Sequence, residues 1–404
     1  MLTPQQLERY TDRACELFDP LVDSLAASMA RQLARADLTI TGTVEWQVER
    51  ARVLGLTAQD INDAVQRQMP RIATQVAPIF VEAMQSSHDA DARLYERAGR
   101  SVAALDSSPV LQQLIRDGYR RTMGTLENLT QTRAVGGNSM LSETTQLELR
   151  RVLDLAHMQV STGAFSYTRA IQMAVNHMAN DGIAAITYPS GHTDKVDVVI
   201  RRALLTGINQ TAVSLSLADA EEAGQDLMEL TAHQGARPSH AVWQGKIVSL
   251  SGREGYLSLD DIGYGTVTGF QGANCQHNWF PFIEGVSERN WSDAQLEQLN
   301  SATVEYNGQE IPYYDAKQMQ RAKERRVRKY KRQYLMQRAV AAAAADTETR
   351  QGAETGMRTA AMRLQAARHD LDDFLDQTGL KKQQDREAVP GFTPTVAREA
   401  VAKV

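Results

Sequence analysis

The chain is short of several features that would assign it a class at once. Cysteine is nearly absent: Cys15 and Cys275 are the two in 404 residues. They are far apart in sequence, so they suggest no disulfide framework and point to folding in a reducing compartment. Aromatic residues make up 6% of the chain and alanine is abundant, a mixture that favours helices over a large β structure. No apolar run reaches the ~18 residues that a membrane span needs. The opening MLTPQQLERYTDRACELF carries charge throughout and has no signal-peptide core. The formal net charge of −5 excludes a wholly basic nucleic-acid coat, although it conceals local segregation of charge. No glycine-rich phosphate loop, HExxH or GxSxG is present, which closes the motif-based routes to an enzyme.

What is present divides into three regions. Hydrophobic residues make up 42% of the chain, enough to form a core, and its length suits two or three domains. We expect an α+β, predominantly α protein: a helical docking or scaffold region over 1–180, a compact α+β module over 181–290, and a basic helix, helical hairpin and tail over 291–404. Thr3-Pro4 predicts a helix start, with a cap followed by a proline whose missing N–H costs nothing there. Leu21, Leu25, Met29 and Leu33 form one apolar stripe. Thr57 with Asp60 resembles a capping box that opens a second long helix, inward through Ile61, Val65, Met69, Ile72, Val76 and Phe80, with Pro70 and Pro78 as kinks or breaks. Ser108-Pro109 starts another helix, with Leu111, Leu114, Ile115, Met123, Leu126 and Leu129 inward. The loop Val135–Ser139 interrupts the pattern, and helices over 143–161 and 166–180 follow, divided near Gly163. These helices carry no inward cluster of carboxylates and histidines of the kind a di-metal bundle uses.

From Asp181-Gly182 the texture changes. The stretch 183–188 reads as a short strand, Pro189-Ser190-Gly191 as a turn, and Thr193 as the cap of a helix bearing Val196, Val199, Ile200, Leu204 and Ile208. Further short strands are expected at 227–232, 245–250 and 277–283, among dense glycines that suit tight turns.

Within this module Cys275, His277, His240 and His233 offer four ligands of the kinds zinc prefers. One Cys-x-His pair with two distant histidines is a poor match to the usual spacing, and the expectation is no metal and no cofactor. An enzyme would need Cys275 as nucleophile, His240 or His277 as base, and Asn274 or Asp194 to orient it. We favour a polar staple instead: Arg237 with His240, and Asn274 with Cys275 and His277, fix the turns of a sheet too small to order its loops by apolar burial alone.

Beyond Trp291 the chain reads as polar and helical. Ala316–Arg338 holds Lys317, Arg321, Lys323, Arg325, Arg326, Arg328, Lys329, Lys331, Arg332 and Arg338 against the single acid Glu324. Such a tract can lie along DNA phosphates or an acidic partner, or it can meet acids within its own assembly. The alanine run 339–345 extends this helix by propensity. In the next helix Met357, Leu364 and Leu371 repeat at heptad spacing, with Ala360, Ala367 and Phe374 offset by three. After Gly379 a loop and a final short helix are expected, and we find no internal repeat.

The residues of the module carry a resemblance. ARPSHAVWQGKI (236–247) and YGTVTGFQGANCQHNWFPFIEG (264–285) resemble the signature of the minor capsid protein 2 family of tailed phages. The matching positions are Arg237, His240, Gln244, Gly245, Gly272, Asn274, Cys275, His277, Pro281, Phe282 and Gly285. The stretch 186–211, with its Tyr-Pro-Ser-Gly turn, Arg-Arg pair and Asn-Gln-Thr end, is similar to the family as well. More distantly the module resembles Mu F-like head morphogenesis proteins. Gln276 stands where family members often carry arginine.

The resemblance implies a structural, non-enzymatic virion protein present in several copies and assembled in the host cytoplasm. It implies a place in the capsid interior near the portal vertex, with the portal or major capsid protein as partner, packaged double-stranded DNA as a further contact, and no membrane. The rivals are an effector enzyme delivered with the genome through a Cys/His site at Cys275, and an assembly scaffold that leaves before maturation.

Overall fold

The computed structural model describes residues 1–130, 140–181, 184–187, 193–389 and 391–404. The first helix, α1 (Pro4–Glu16), starts as its sequence predicts. The Thr3 hydroxyl accepts the Gln6 N–H, and the Gln6 side chain returns to the Thr3 N–H, a capping box ahead of a proline in the first turn. Helix α2 (Asp19–Ala34) buries Leu21, Leu25, Met29 and Leu33. Helix α3 (Thr43–Arg97) is 55 residues long and corrects the expectation of a helix opening at Thr57. That threonine is fully buried, and its hydroxyl donates to the Val53 carbonyl at 2.8 Å, a bond made inside a helix and not at its start. The stripe Ile61, Val65, Met69, Ile72, Val76 and Phe80 is buried along its length, and α3 continues through both Pro70 and Pro78.

Helix α4 (Pro109–Thr130) starts where Ser108 accepts the Leu111 N–H. It buries Leu111, Ile115, Met123 and Leu126, with Leu114 half-buried. The side chain of Leu129, the loop Val135–Ser139 and the turn Pro189–Gly191 lie outside the described residues. Helices α5 (Met140–Ser161) and α6 (Tyr167–Asp181) follow, and Gly163 takes a φ of 70° between them. Strands β1 (Ala184–Thr187) and β2 (Thr193–Lys195) pair antiparallel, with Thr193 opposite Thr187. Thr193 is therefore a strand residue and not a helix cap. Helix α7 (Val196–Ala223) follows directly and buries Val196, Val199, Ile200, Leu204 and Ile208.

A three-stranded antiparallel sheet is then built from β3 (Leu227–Leu230), β4 (Ile247–Ser249) and β5 (Trp279–Pro281), in the order β4-β3-β5. A short helix, α8 (Pro238–Ala241), lies between β3 and β4 in sequence. After α9 (Asp293–Asn300) the chain forms a hairpin of β6 (Thr303–Tyr306) and β7 (Gln309–Pro312), where the sequence reads as polar helix. The signal was Asn307-Gly308: both residues take positive φ, 53° and 72°, as a two-residue I′ turn requires. Helices α10 (Tyr313–Ala343), α11 (Thr347–Thr378), α12 (Gln384–Glu387) and α13 (Pro394–Val401) complete the chain. The fold is α+β and predominantly α, as expected.

Two compact units emerge, each drawing on three separated stretches. One comprises Met1–Leu17, Ile72–Leu126 and Ile200–Gln318; the other comprises Phe18–Arg71, Glu127–Val199 and Met319–Val404. In the first, the sheet packs Met228, Leu230, Val248 and Trp279 against Val213, Trp243, Ile262, Phe270 and Cys275. In the second, the heptad face of α11 is buried at Met357, Ala360, Leu364, Ala367, Leu371 and Phe374.

Candidate functional site

The signature residues of the module converge beside the three-stranded sheet. Arg237 precedes α8, whose single turn points His240 inward. Gly245 takes a φ of 68°, and an added Cβ there would stand 2.4 Å from Leu296 Cδ2, so a side chain is excluded both by backbone conformation and by space. The loop before β5 winds tightly on its own backbone. Ala273 N–H donates to Val267 O at 2.9 Å, and Cys275 N–H donates to Gly272 O at 3.1 Å. Gln271 and Asn274 take positive φ, 66° and 58°, which asparagine tolerates better than most residues. A Cβ on Gly272 would lie 2.3 Å from Val267 O. This winding carries Cys275 and His277 under the sheet, and His277 lies in the loop before β5 and not in the strand expected at 277–283.

His240, Cys275 and His277 are 3%, 2% and 1% exposed. His240 Nδ1 lies 3.4 Å from His277 Nδ1, and Cys275 Sγ lies 3.8 Å from the same atom. The other ring nitrogens are engaged: His240 Nε2 with the Thr268 carbonyl at 2.8 Å, and His277 Nε2 with Gln244 Oε1 at 3.2 Å. Gln244 also accepts the His233 N–H and donates to Asn300 Oδ1. The His233 ring lies against His277, with centroids 4.6 Å apart. Arg237 reaches the Ala273 carbonyl by one bond of 3.3 Å. Burial pushes both His240 and His277 below the usual imidazole range, His277 further, and pushes the Cys275 thiol up. Neutral forms are thereby favoured throughout.

Three braces were missed in the sequence. Asn209, on α7, donates to the carbonyls of Cys275 at 3.1 Å and His277 at 2.9 Å, and it accepts from Asn278 Nδ2. Gln271 donates to the His277 carbonyl as well, and the Asn278 N–H donates to Thr231 Oγ1. A signal for Asn209 existed: it follows Leu205 by four residues and precedes Val213 by four, so it is a polar residue on a buried helix face. Asp194, weighed as an orienting group, sits on β2 in the second unit.

The basic tract lies on α10. In the second unit Arg328 and Arg332 face Asp197 at 3.4 and 3.3 Å, while Lys323 and Arg326 share Asp370 at 2.7 and 3.3 Å. Lys331 is buried and donates to the Glu387 carbonyl at 2.6 Å; burial, then Arg368, brings it down to about 8. Arg325 and Arg326 are exposed, and Arg321 and Lys329 are half-buried. Lys317 belongs to the first unit, where its stem lies beside Gly235. The helix thus uses much of its charge inside its own unit.

The family model for phage minor capsid protein 2 matches residues 2–376. The chain belongs to the phage minor capsid protein 2 family. A structural protein of Lactococcus phage LL-H is 24% identical over 326 residues, covering 78% of this chain and 82% of that relative. A structural protein of Lactococcus phage mv4 is 35% identical over 81 residues, covering 20% of this chain and 56% of its own length. No solved structure matches. As in the sequence reading, minor capsid protein 2 membership makes this a phage structural protein. Among the described residues no helix is long and apolar enough to cross a membrane.

Proposed function

We propose that this protein is built into the tailed-phage head and acts in head assembly, inside the shell near the portal vertex, with the portal or major capsid protein as partner. The observation that carries the non-enzymatic reading is burial. The thiol and both imidazoles that chemistry would require are at most 3% exposed, and the thiol is held protonated by its surroundings. A nucleophile needs the thiolate and access to substrate. Docking has separate support in the second unit, where Trp46 on α3 stacks on His157 of α5 at 3.9 Å. On the same helices Val44, Val48, Leu155 and Met158 are 47–68% exposed, the kind of apolar surface that marks a protein contact.

Contact with packaged DNA is the finer part of this reading. Arg325, Arg326 and Arg338 are the exposed basic residues of the tract, Arg326 also paired with Asp370 and Arg338 with Glu399, and phosphate contacts would weaken steeply with salt. Mass spectrometry of finished particles tests the main reading. We expect the protein to be retained in mature heads, in several copies but far fewer than the shell protein, and its deletion to leave defective heads. Synthesis in infected cells with absence from finished particles would favour a departing scaffold. A salt series of DNA binding by the full chain tests the finer part, and affinity unchanged by salt would exclude it.

A further inference from the structure

The arrangement of protons around the buried His–Cys–His trio leaves a gap that hydrogen bonds do not close. The Thr268 carbonyl can only accept, so His240 Nε2 carries its hydrogen. The orientation of Gln244 is set by its other partners: Oε1 accepts the His233 N–H at 3.0 Å, and Nε2 donates to Asn300 Oδ1 at 2.6 Å. His277 Nε2, which meets the same Oε1, is therefore a donor too. Both neutral rings then present bare Nδ1 lone pairs to each other at 3.4 Å. The Cys275 thiol has one proton and can serve one of them. Two facing lone pairs in a water-poor interior repel unless a cation sits between them.

We propose that His240 Nδ1, His277 Nδ1 and Cys275 Sγ bind one zinc ion, which serves as a structural staple of the module. Two of the three donor separations match zinc as they stand, and the third, within 4.8 Å, closes by a small shift of the Cys275 and His240 side chains. Tetrahedral zinc, with bonds of about 2.0–2.1 Å to nitrogen and about 2.3 Å to sulfur, has N–N edges near ~3.3 Å and N–S edges near ~3.6 Å. The N–N edge here is 3.4 Å and the Cys275–His277 N–S edge 3.8 Å, while the His240–Cys275 edge is bounded at 4.8 Å. Each ring also has what a metal-bound histidine has, a far nitrogen tied to a carbonyl oxygen that fixes its tautomer and direction. The donor set of two imidazoles and one thiolate selects zinc over hard cations. On binding, the thiol proton leaves to solvent and the sulfur–zinc bond replaces it. The proposal reverses the expectation drawn from ligand spacing, because Gln244, Thr268 and the wound loop bring together residues that are distant in sequence. It stands independently of the virion reading.

The test is metal analysis of untagged full-length protein expressed with zinc in the medium, followed by cobalt replacement. We expect about one zinc per chain, a lower melting temperature after chelation that added zinc restores, and the visible bands of tetrahedral cobalt with a thiolate charge-transfer band. Cys275→Ser should lose that charge-transfer band. Gln244→Leu leaves all three ligands in place and should weaken zinc binding by roughly 10–100-fold, measured by competition with a chromogenic chelator. Folded wild-type protein without zinc, whose melting is unmoved by added zinc or chelator, would overturn the proposal. So would an equal zinc content in folded His240→Ala or Cys275→Ser protein.

Discussion

Replacing Gly207 by alanine sets helix propensity against packing, and the two predict opposite signs. Gly207 lies within α7, where alanine is favoured over glycine by ~1 kcal/mol. Its place in the first unit forbids the exchange. A Cβ there would stand 1.9 Å from Thr122 Oγ1 and 2.8 Å from both Thr122 Cβ and Cγ2, so the whole threonine side chain is in the way. Thr122 is 4% exposed, and its hydroxyl is tied to the Gly118 carbonyl at 2.7 Å. A β-branched side chain has few other rotamers in a helix. The contact is reciprocal: a Cβ on Gly118 would meet Thr211 Oγ1 at 2.1 Å, and Thr211 bonds back to the Gly207 carbonyl. Two Gly-x-x-x-Thr faces thus interlock α4 and α7, and either helix must move to admit a methyl group. Such overpacking costs ~1–3 kcal/mol, which outweighs the propensity gain. We expect Gly207→Ala to lower the urea midpoint of the full chain, and Thr122→Ala to recover part of the loss in that background. Gly124, on the same helix as Thr122, has nothing within 4 Å of its added Cβ, so Gly124→Ala should stabilise. A Gly207→Ala protein as stable as Gly124→Ala would refute the interlocking.

Two further outcomes follow from buried polar groups. Asn209→Ala removes donors to two buried carbonyls, those of Cys275 and His277. It should cost about 2–3 kcal/mol in chemical denaturation, and an unchanged midpoint would count against the bracing role. Asp19 is pushed from 3.8 up to about 7, by burial first and Asp23 next. Its folded-state carboxyl therefore holds a proton that the unfolded one has lost, and stability declines as pH rises between those values. Asp19→Asn should be more stable than wild type at pH 8, by about 2 kcal/mol for a half-buried group, and no better at pH 4; equal melting curves at pH 8 would refute this.

The parts of the fold that were legible are those written by local periodicity. The stripe of α2, the buried face of α7 and the heptads of α11 all lie where the spacing of apolar residues puts them. The misreadings arose where a local signal has two solutions. Thr57-x-x-Asp60 can cap a helix or ride inside one, and burial of Thr57 against its own Val53 carbonyl selects the second. Residues 303–312 are polar enough to read as a solvated helix, and only the Asn307-Gly308 turn marks the hairpin. The charge of 316–338 suited an external partner or acids of its own assembly equally, and Asp197 and Asp370, distant in sequence, take up Arg328, Arg332, Lys323 and Arg326.

The candidate site combines both situations. Arg237, His240, Asn274, Cys275 and His277 were identified from residue types, since such side chains crowd where a small sheet needs help ordering its loops, and Gln244 from the family resemblance. Their ranking was not legible. Arg237, read as a staple residue, makes one long bond of 3.3 Å to the Ala273 carbonyl. Gln244, read as one matching position among several, sits at the centre and sets the proton on His277 through its contacts with His233 and Asn300. A glutamine amide has a donor end and an acceptor end, and only its partners in space say which end faces where. That orientation, invisible in the chain of letters, decides which ring nitrogen of His277 carries the hydrogen. Here both imidazoles donate from Nε2, so their acceptor atoms are the two Nδ1 that converge beside Cys275, whose single thiol proton can answer one of them.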